Sequence, residues 1–233
     1  MSIFLWACQP PKAPSEKKME EVKTEEYTPQ YSLDFLLGKF DPTTHQDFVA
    51  IEPQFANREG MWMQKQAYEA FLKMWKAAQA EEVNLTIVSA ARNFDYQKGI
   101  WERKWFGKTL LNGSTDATTI DSLERRALAI MQYSAMPGAS RHHWGTDIDL
   151  NALNNDYFTQ GRGKEEFDWL VENAINFGFC RPYTEKSAGR TGYEEEKWHW
   201  SYLPLSRIMT KDAQVLFEDQ LLSGFEGHHT AQK

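Results

Sequence analysis

Two imidazoles and two carboxylates fall into short runs separated by about fifty residues. The first run is Ser140-Arg-His142-His-Trp-Gly145-Thr-Asp-Ile-Asp149 and the second is Glu196-Lys-Trp198-His199. His142, Asp149 and His199 offer two nitrogens and one carboxylate oxygen, and Glu196 stands three residues before the last of them. Three protein ligands, an open fourth position and a general base beside it are what a catalytic zinc ion requires. Zinc takes such mixed ligands tetrahedrally at ~2.0–2.2 Å. A surface histidine, a structural aspartate and a core histidine are each unremarkable alone. Their joint spacing with Glu196 is what points to chemistry.

Several neighbours compete for the same roles. His143 adjoins His142, and Glu194 and Glu195 match Glu196 in composition; the register to Trp198-His199 selects Glu196. Glu196 and His199 are an odd number of residues apart, so a regular strand would send them to opposite faces and a bend is required. Asp147 shares a strand face with Asp149. It either orients a histidine or a cation from behind, or disturbs the choice of ligand.

Ligands this far apart in sequence need elements that bring them together. Residues 62–82 carry Ala67, Ala70, Phe71, Met74, Trp75 and Ala78 at helical spacing, which predicts a long amphipathic helix. A short helix over 32–37 ends at Gly38, and a strand follows the long helix over 84–89. Further helices are expected over 95–106 and 119–131, the latter with Leu123, Ala127, Leu128 and Met131 inward. Residues 146–150 read as the strand carrying Asp149. A helix over 164–177 would bury Phe167, Leu170, Val171, Ala174 and Ile175. Residues 184–194, with Gly189 and Gly192, read as a mobile loop, 198–203 as the last strand and 205–222 as a closing helix. This order predicts an α+β fold: a small, mostly antiparallel sheet covered by helices, with the zinc site in a cleft on the sheet.

The motifs SxHxxGxxxD and ExWH resemble those of the VanY-like D-alanyl-D-alanine carboxypeptidases. Ser89-Ala-Ala-Arg92 followed by Gln97 looks like that family's S-x-x-R-(x)4-Q segment. Pro137-Gly-Ala-Ser140 and His199-Trp-Ser-Tyr202 resemble its approach to the first histidine and its final strand. The resemblance spans about residues 31–203. It implies zinc at His142, Asp149 and His199, Glu196 as catalytic base, Arg92 on the carbonyl oxygen, and Ser140 and Gln97 on the substrate's terminal portion. Where that family usually has a small residue two before the ligand aspartate, this chain has Asp147. The hydroxyl of Tyr202 is a further candidate for assistance. The expected activity is hydrolysis of the terminal D-Ala-D-Ala bond of peptidoglycan stem peptides. The alternatives are an L,D-carboxypeptidase or endopeptidase of the same fold, or a metal-containing cell-wall binding module.

Composition sets the outer limits. With 41% hydrophobic and 25% charged residues the chain reads as globular, and a net charge of -7 without a basic stripe argues against nucleic acid. At 233 residues one domain fits, over 31–222, with a flexible tail over 223–233. Only Cys8 and Cys180 are present, which rules out a cysteine-rich metal knuckle. Leu5-Trp-Ala-Cys8 resembles a bacterial lipobox, so residues 1–8 read as the remnant of a lipoprotein signal whose start lies upstream. Residues 9–30, rich in Pro, Lys and Glu, read as a disordered tether. Together they place the expected enzyme in the cell envelope, anchored by lipid through Cys8. Oligomeric state is not legible.

Overall fold

The alternation of side chains along two short strands decides where the site can lie. The computed structural model describes residues 27–186 and 189–232. Cys8 and most of the expected tether lie outside them, as do residues 187–188 of the expected mobile loop. In chain order the elements are α1 (Leu33–Leu36), β1 (Phe48–Ala50), β2 (Trp62–Gln64), α2 (Lys65–Ala80), β3 (Ile87–Ser89), α3 (Phe94–Trp105), α4 (Leu123–Met131), β4 (Asp147–Leu150), α5 (Gly161–Asn173), β5 (Phe179–Cys180), β6 (His199–Tyr202) and α6 (Leu203–Leu216). The last four strands form an antiparallel sheet in the order β3-β4-β6-β5. This is the α+β architecture expected.

On β4, Ile148 and Leu150 point into a core built with Phe71 and Met74 of α2 and Leu170 of α5. Asp147 and Asp149 therefore point the other way. Across the register Asp149 faces His199 and Asp147 faces Ser201, while Ile148 pairs with Trp200 in the core. Directly paired residues share a face. Ile87 pairs with Leu150 but Ser89 pairs with Asp149, and a register shift between them carries β3 from the core face to the polar face.

The long helix begins three residues later than its periodicity suggests. Residues 62–64 instead form β2, paired antiparallel with β1. Tertiary bonds hold this extended segment: Trp62 O accepts from Ala91 N at 2.9 Å, and Gln64 N donates to Gly145 O at 2.9 Å. Two helix faces also differ from expectation. In α4 the buried residues are Ala127 and Ile130, and Leu128 is 50% exposed. In α5 Trp169 and Glu166 are buried, whereas Val171 is 54% exposed and Ile175, just past the helix, 56% exposed. Helix α5 gives way to a 3-10 turn at Ala174–Phe177, which breaks the stripe.

The chain's two flanks are tied down. Asp212 of α6 is buried and accepts from Gln30 N and Tyr31 N, each at 2.8 Å, and from the Tyr27 hydroxyl. The globular part thus begins a few residues before position 31. Part of the stretch expected to be a flexible tail packs: Phe225 is buried beside Trp101, whose Nε1 donates to Glu226 O at 2.8 Å. No helix among the described residues is long and apolar enough to cross a membrane.

Candidate active site

His142 reaches the polar face of the sheet from a single 3-10 turn, Arg141–Trp144, that stops at Gly145. Gly145 has φ 68°, and a Cβ there would overlap the Phe48 ring and lie 3.1 Å from Gln64 N. Only glycine takes this left-handed bend under the β1–β2 hairpin without cost. The bend lets the chain leave His142 and enter β4 with Asp149 facing the same space. Arg92 N donates to His142 O at 3.1 Å, which ties the turn to the end of β3.

Three donor atoms converge there. His142 Nε2 lies 3.3 Å from Asp149 Oδ2, and His199 Nδ1 lies 3.2 Å from Asp149 Oδ1. One ligand atom from each residue falls within 4.8 Å of the others, and all three residues are buried. The imidazoles stand 4.7 Å apart at 78°. Ala90 O lies 2.9 Å from His142 Nδ1, so Nδ1–H donates outward and the Nε2 lone pair faces inward. His142 Nε2 and Asp149 Oδ1 are nevertheless without a hydrogen-bond partner. His142 Nε2, without a proton, and the Asp149 carboxylate face each other as acceptors, so neither can satisfy the other. Buried polar atoms are normally paired, and a set aimed at a common point fits a cation. His142, Asp149 and His199 thus form a candidate metal site of the composition expected from sequence.

Electrostatics agrees. Burial opposes the charged form of Asp149, but the flanking His142 and His199 overcome this and hold its carboxyl below the usual range. Burial and the Arg92 charge push His142 down, favouring the neutral, ligating form. Burial also disfavours a charged His199, yet the hydrogen bond with Asp147 and the carboxylates of Asp149 and Glu196 beside Nδ1 hold its pKa well above the ordinary value. A metal would compete with that proton.

Glu196 gets past the odd spacing through a turn. His199 N approaches Glu196 O at 3.4 Å, and the turn brings Glu196 Oε2 to 3.2 Å from His199 Nδ1. Burial raises the Glu196 pKa, against the lowering pull of His199. The rival glutamates are engaged elsewhere: Glu194 pairs with Lys186 at 2.6 Å and Glu195 with Arg181 at 3.0 Å. His143 is also removed from the site. Its Nε2 accepts from Gly138 N at 3.0 Å, so Nδ1 carries the proton and donates to Arg92 O at 2.6 Å.

A cleft of about 720 Å³ opens over these groups and is lined by Arg92, Gln97 and Ser140 as well. Arg92 Nε is buried without a partner; Gln97 Nε2 donates to Ala135 O at 2.8 Å, leaving Oε1 unpaired. Tyr202 is not a lining residue; its ring packs on Phe179 at 5.4 Å. The nearby phenol is Tyr183, whose ring lies 4.7 Å from that of His199. Sequence reasoning missed Tyr183, Tyr193, Tyr133 and Lys104 in the cleft wall. The helical spacing of Gln97, Ile100 and Lys104 is a signal that could have found the last.

Asp147 is not among the converging ligands. Its Oδ2 lies 2.8 Å from both His199 Nε2 and Arg141 Nε, and its Oδ1 accepts from Ser201 Oγ at 2.7 Å and Thr146 Oγ1 at 2.9 Å. Burial opposes ionisation of Asp147, but Arg141 and His199 outweigh it and lower the pKa.

The profile of the VanY family, described as D-alanyl-D-alanine carboxypeptidase, matches residues 60–205. The chain is similar to YodJ of Bacillus subtilis, which carries a carboxypeptidase name, with 29% identity over 201 residues, covering 82% of this chain and 62% of that protein. It is also similar to a D-alanyl-D-alanine carboxypeptidase of Enterococcus faecalis, with 28% identity over 190 residues, covering 82% and 65%. It spans less than two thirds of the length of these two relatives. Among solved structures, the LdcB LD-carboxypeptidase matches with a TM-score of 0.55 at 23% identity, covering 77% of each chain, which shows a shared fold.

Proposed function

We propose that this chain, which belongs to the VanY family of D-alanyl-D-alanine carboxypeptidases, is a zinc-dependent enzyme that removes the terminal D-alanine from peptidoglycan stem peptides. The observation that carries the reading is the convergence of His142, Asp149 and His199 beside a buried carboxylate that is not one of the three. Two imidazoles and one carboxylate suit zinc, and three ligands leave a position open. Zinc held there would supply Lewis acidity toward the attacking water and the scissile carbonyl.

The chain's own residues would do the rest. Glu196, its pKa raised by burial, is suited to take a proton from the attacking water and pass it to the leaving amine. Arg92 offers a guanidinium to the charge developing on the carbonyl oxygen; Nε already lacks a partner. The free Oε1 of Gln97 and the buried Ser140 line the same cleft and would hold the substrate's terminal portion. With both Glu196 and Arg92 in the cleft, hydrolysis is favoured over a binding module.

The test combines metal analysis with mass spectrometry of products from synthetic stem peptides. About one zinc per chain and release of D-alanine from a D-Ala-D-Ala terminus are expected. Cleavage confined to L-Lys-D-Ala termini would move the reading to an L,D-carboxypeptidase, and cleavage only of cross-linked peptides to an endopeptidase. Binding without turnover would leave a wall-binding module. We further propose that the enzyme works in the cell envelope, lipid-anchored at Cys8. A stop codon just upstream of Met1, in frame and with no alternative start between, would refute the anchor.

A further inference from the structure

We infer that Asp147, braced by Arg141, is a positioning residue that fixes which ring nitrogen of His199 faces the metal; this rests on the metalloenzyme reading above. Asp147 and Asp149 are two apart on β4 and project from the same face. They meet opposite edges of one imidazole: Asp149 Oδ1 is 3.2 Å from His199 Nδ1, and Asp147 Oδ2 is 2.8 Å from His199 Nε2. A metal-ligating imidazole is neutral and has a single N–H. An ionised carboxylate can only accept, so Asp147 draws that N–H to Nε2 and leaves the Nδ1 lone pair for the ion. Without Asp147 the ring could carry its proton on Nδ1, where the carboxylates of Asp149 and Glu196, each 3.2 Å away, would attract it. That arrangement would close the ligand position.

The carboxylate is itself immobilised. Ser201 and Thr146 hold Oδ1, and Arg141 holds Oδ2. Arg141 is fixed in turn by Ser201 Oγ at 2.6 Å and Thr210 Oγ1 at 3.1 Å, and its guanidinium lies over the Trp144 ring at 5.0 Å. Asp147 and Arg141 carry opposite charges, so the pair directs the ring without adding net charge beside the metal.

The experiment compares wild-type full chain with Asp147→Asn by chelator competition for zinc. The asparagine can turn its amide N–H toward Nε2 and favour the wrong tautomer. Loss of a partner of this kind typically weakens metal affinity 10–100-fold, and a drop of about that size is expected. The visible spectrum of the cobalt-loaded variant should also differ from wild type, which a loss of stability alone would not produce. Should Asp147→Asn fail to fold, ¹⁵N NMR of zinc-loaded wild type decides: metal on Nδ1 and a proton on Nε2 of His199 are expected, and metal on Nε2 overturns the inference. Tight zinc binding by wild type with equal affinity and an unchanged cobalt spectrum in the variant overturns it too. Wild type that binds no zinc would instead bring down the metalloenzyme reading, and this inference with it.

Discussion

Replacing His143 by alanine tests whether adjacent histidines have been given the right roles. The imidazole is fully buried, and its two nitrogens satisfy Gly138 N–H and Arg92 C=O. Alanine orphans both groups, at about 1–3 kcal/mol each, and leaves a ring-sized void. A loss of about 3–6 kcal/mol is expected, a large share of the ~5–15 kcal/mol typical of a domain. Urea unfolding of metal-free protein measures it without the stabilisation that a bound ion adds. The loss should also depend on pH. Burial depresses the His143 pKa from 6.5 to about 3. Between those values the folded state binds fewer protons at this ring than the unfolded state. Its contribution is therefore complete above 6.5 and falls as the pH drops toward 3, by ~1.4 kcal/mol per unit. Alanine has no such dependence, so the gap between wild type and variant should narrow by about 2 kcal/mol on moving from about pH 7 to about pH 5. Zinc stoichiometry should survive in whatever fraction remains folded. A stable His143→Ala protein that has lost its metal, or a stability gap indifferent to pH, would refute the assignment.

Glu196→Gln should retain zinc and substrate binding while kcat falls by ~10²–10⁴, measured on a D-Ala-D-Ala pentapeptide; unchanged kcat would mean another base. Arg92→Ala should lower kcat by ~10²–10³ on the same peptide, with zinc content intact; a normal kcat would remove Arg92 from the carbonyl. Gly145→Ala forces a left-handed residue, costing about 1–2 kcal/mol, and drives a methyl into Phe48. A lower Tm and weaker zinc retention are expected together, and a wild-type Tm would show that the turn tolerates a side chain. Asp212→Ala should destabilise by about 1–3 kcal/mol in calorimetry through the lost acceptor for Gln30 and Tyr31. No change there would mean that the segment's attachment contributes nothing to stability.

The convergence of His142, Asp149 and His199 was legible because glycine and strand alternation constrain them locally. His142 is one turn from Gly145, Asp149 lies on an alternating strand, and His199 pairs with it across the register. That Glu196 is the glutamate approaching His199 agrees with the register to Trp198-His199, although the turn that brings it there was not foreseen. Strands β1, β2 and β5 are two or three residues long and owe their conformation to partners distant in sequence. Residues 62–64 illustrate this, since their spacing continues the helix while their hydrogen bonds go to β1, Ala91 and Gly145. The inner face of α5 was misjudged because aliphatic periodicity gives no weight to a buried glutamate. Glu166 is admitted to the interior by Asn151 at 2.6 Å and Tyr157 at 2.8 Å. The role of Asp147 was undecidable from sequence because Arg141, Ser201 and His199 meet it only in the fold.

Helix α3 has two sides with different owners. One presents Gln97, Ile100 and Lys104 to the cleft; the other carries Trp101 and Trp105, against which Phe225 and Gly227 are pressed. No Cβ could be added at Gly227 without striking the Trp105 ring. The stretch after Leu222 is therefore a back plate to one wall of the cleft. Shortening the chain there would uncover indole on the far side and let the near side drift, so the injury would register as poorer substrate recognition in a protein whose His142, Asp149 and His199 are untouched.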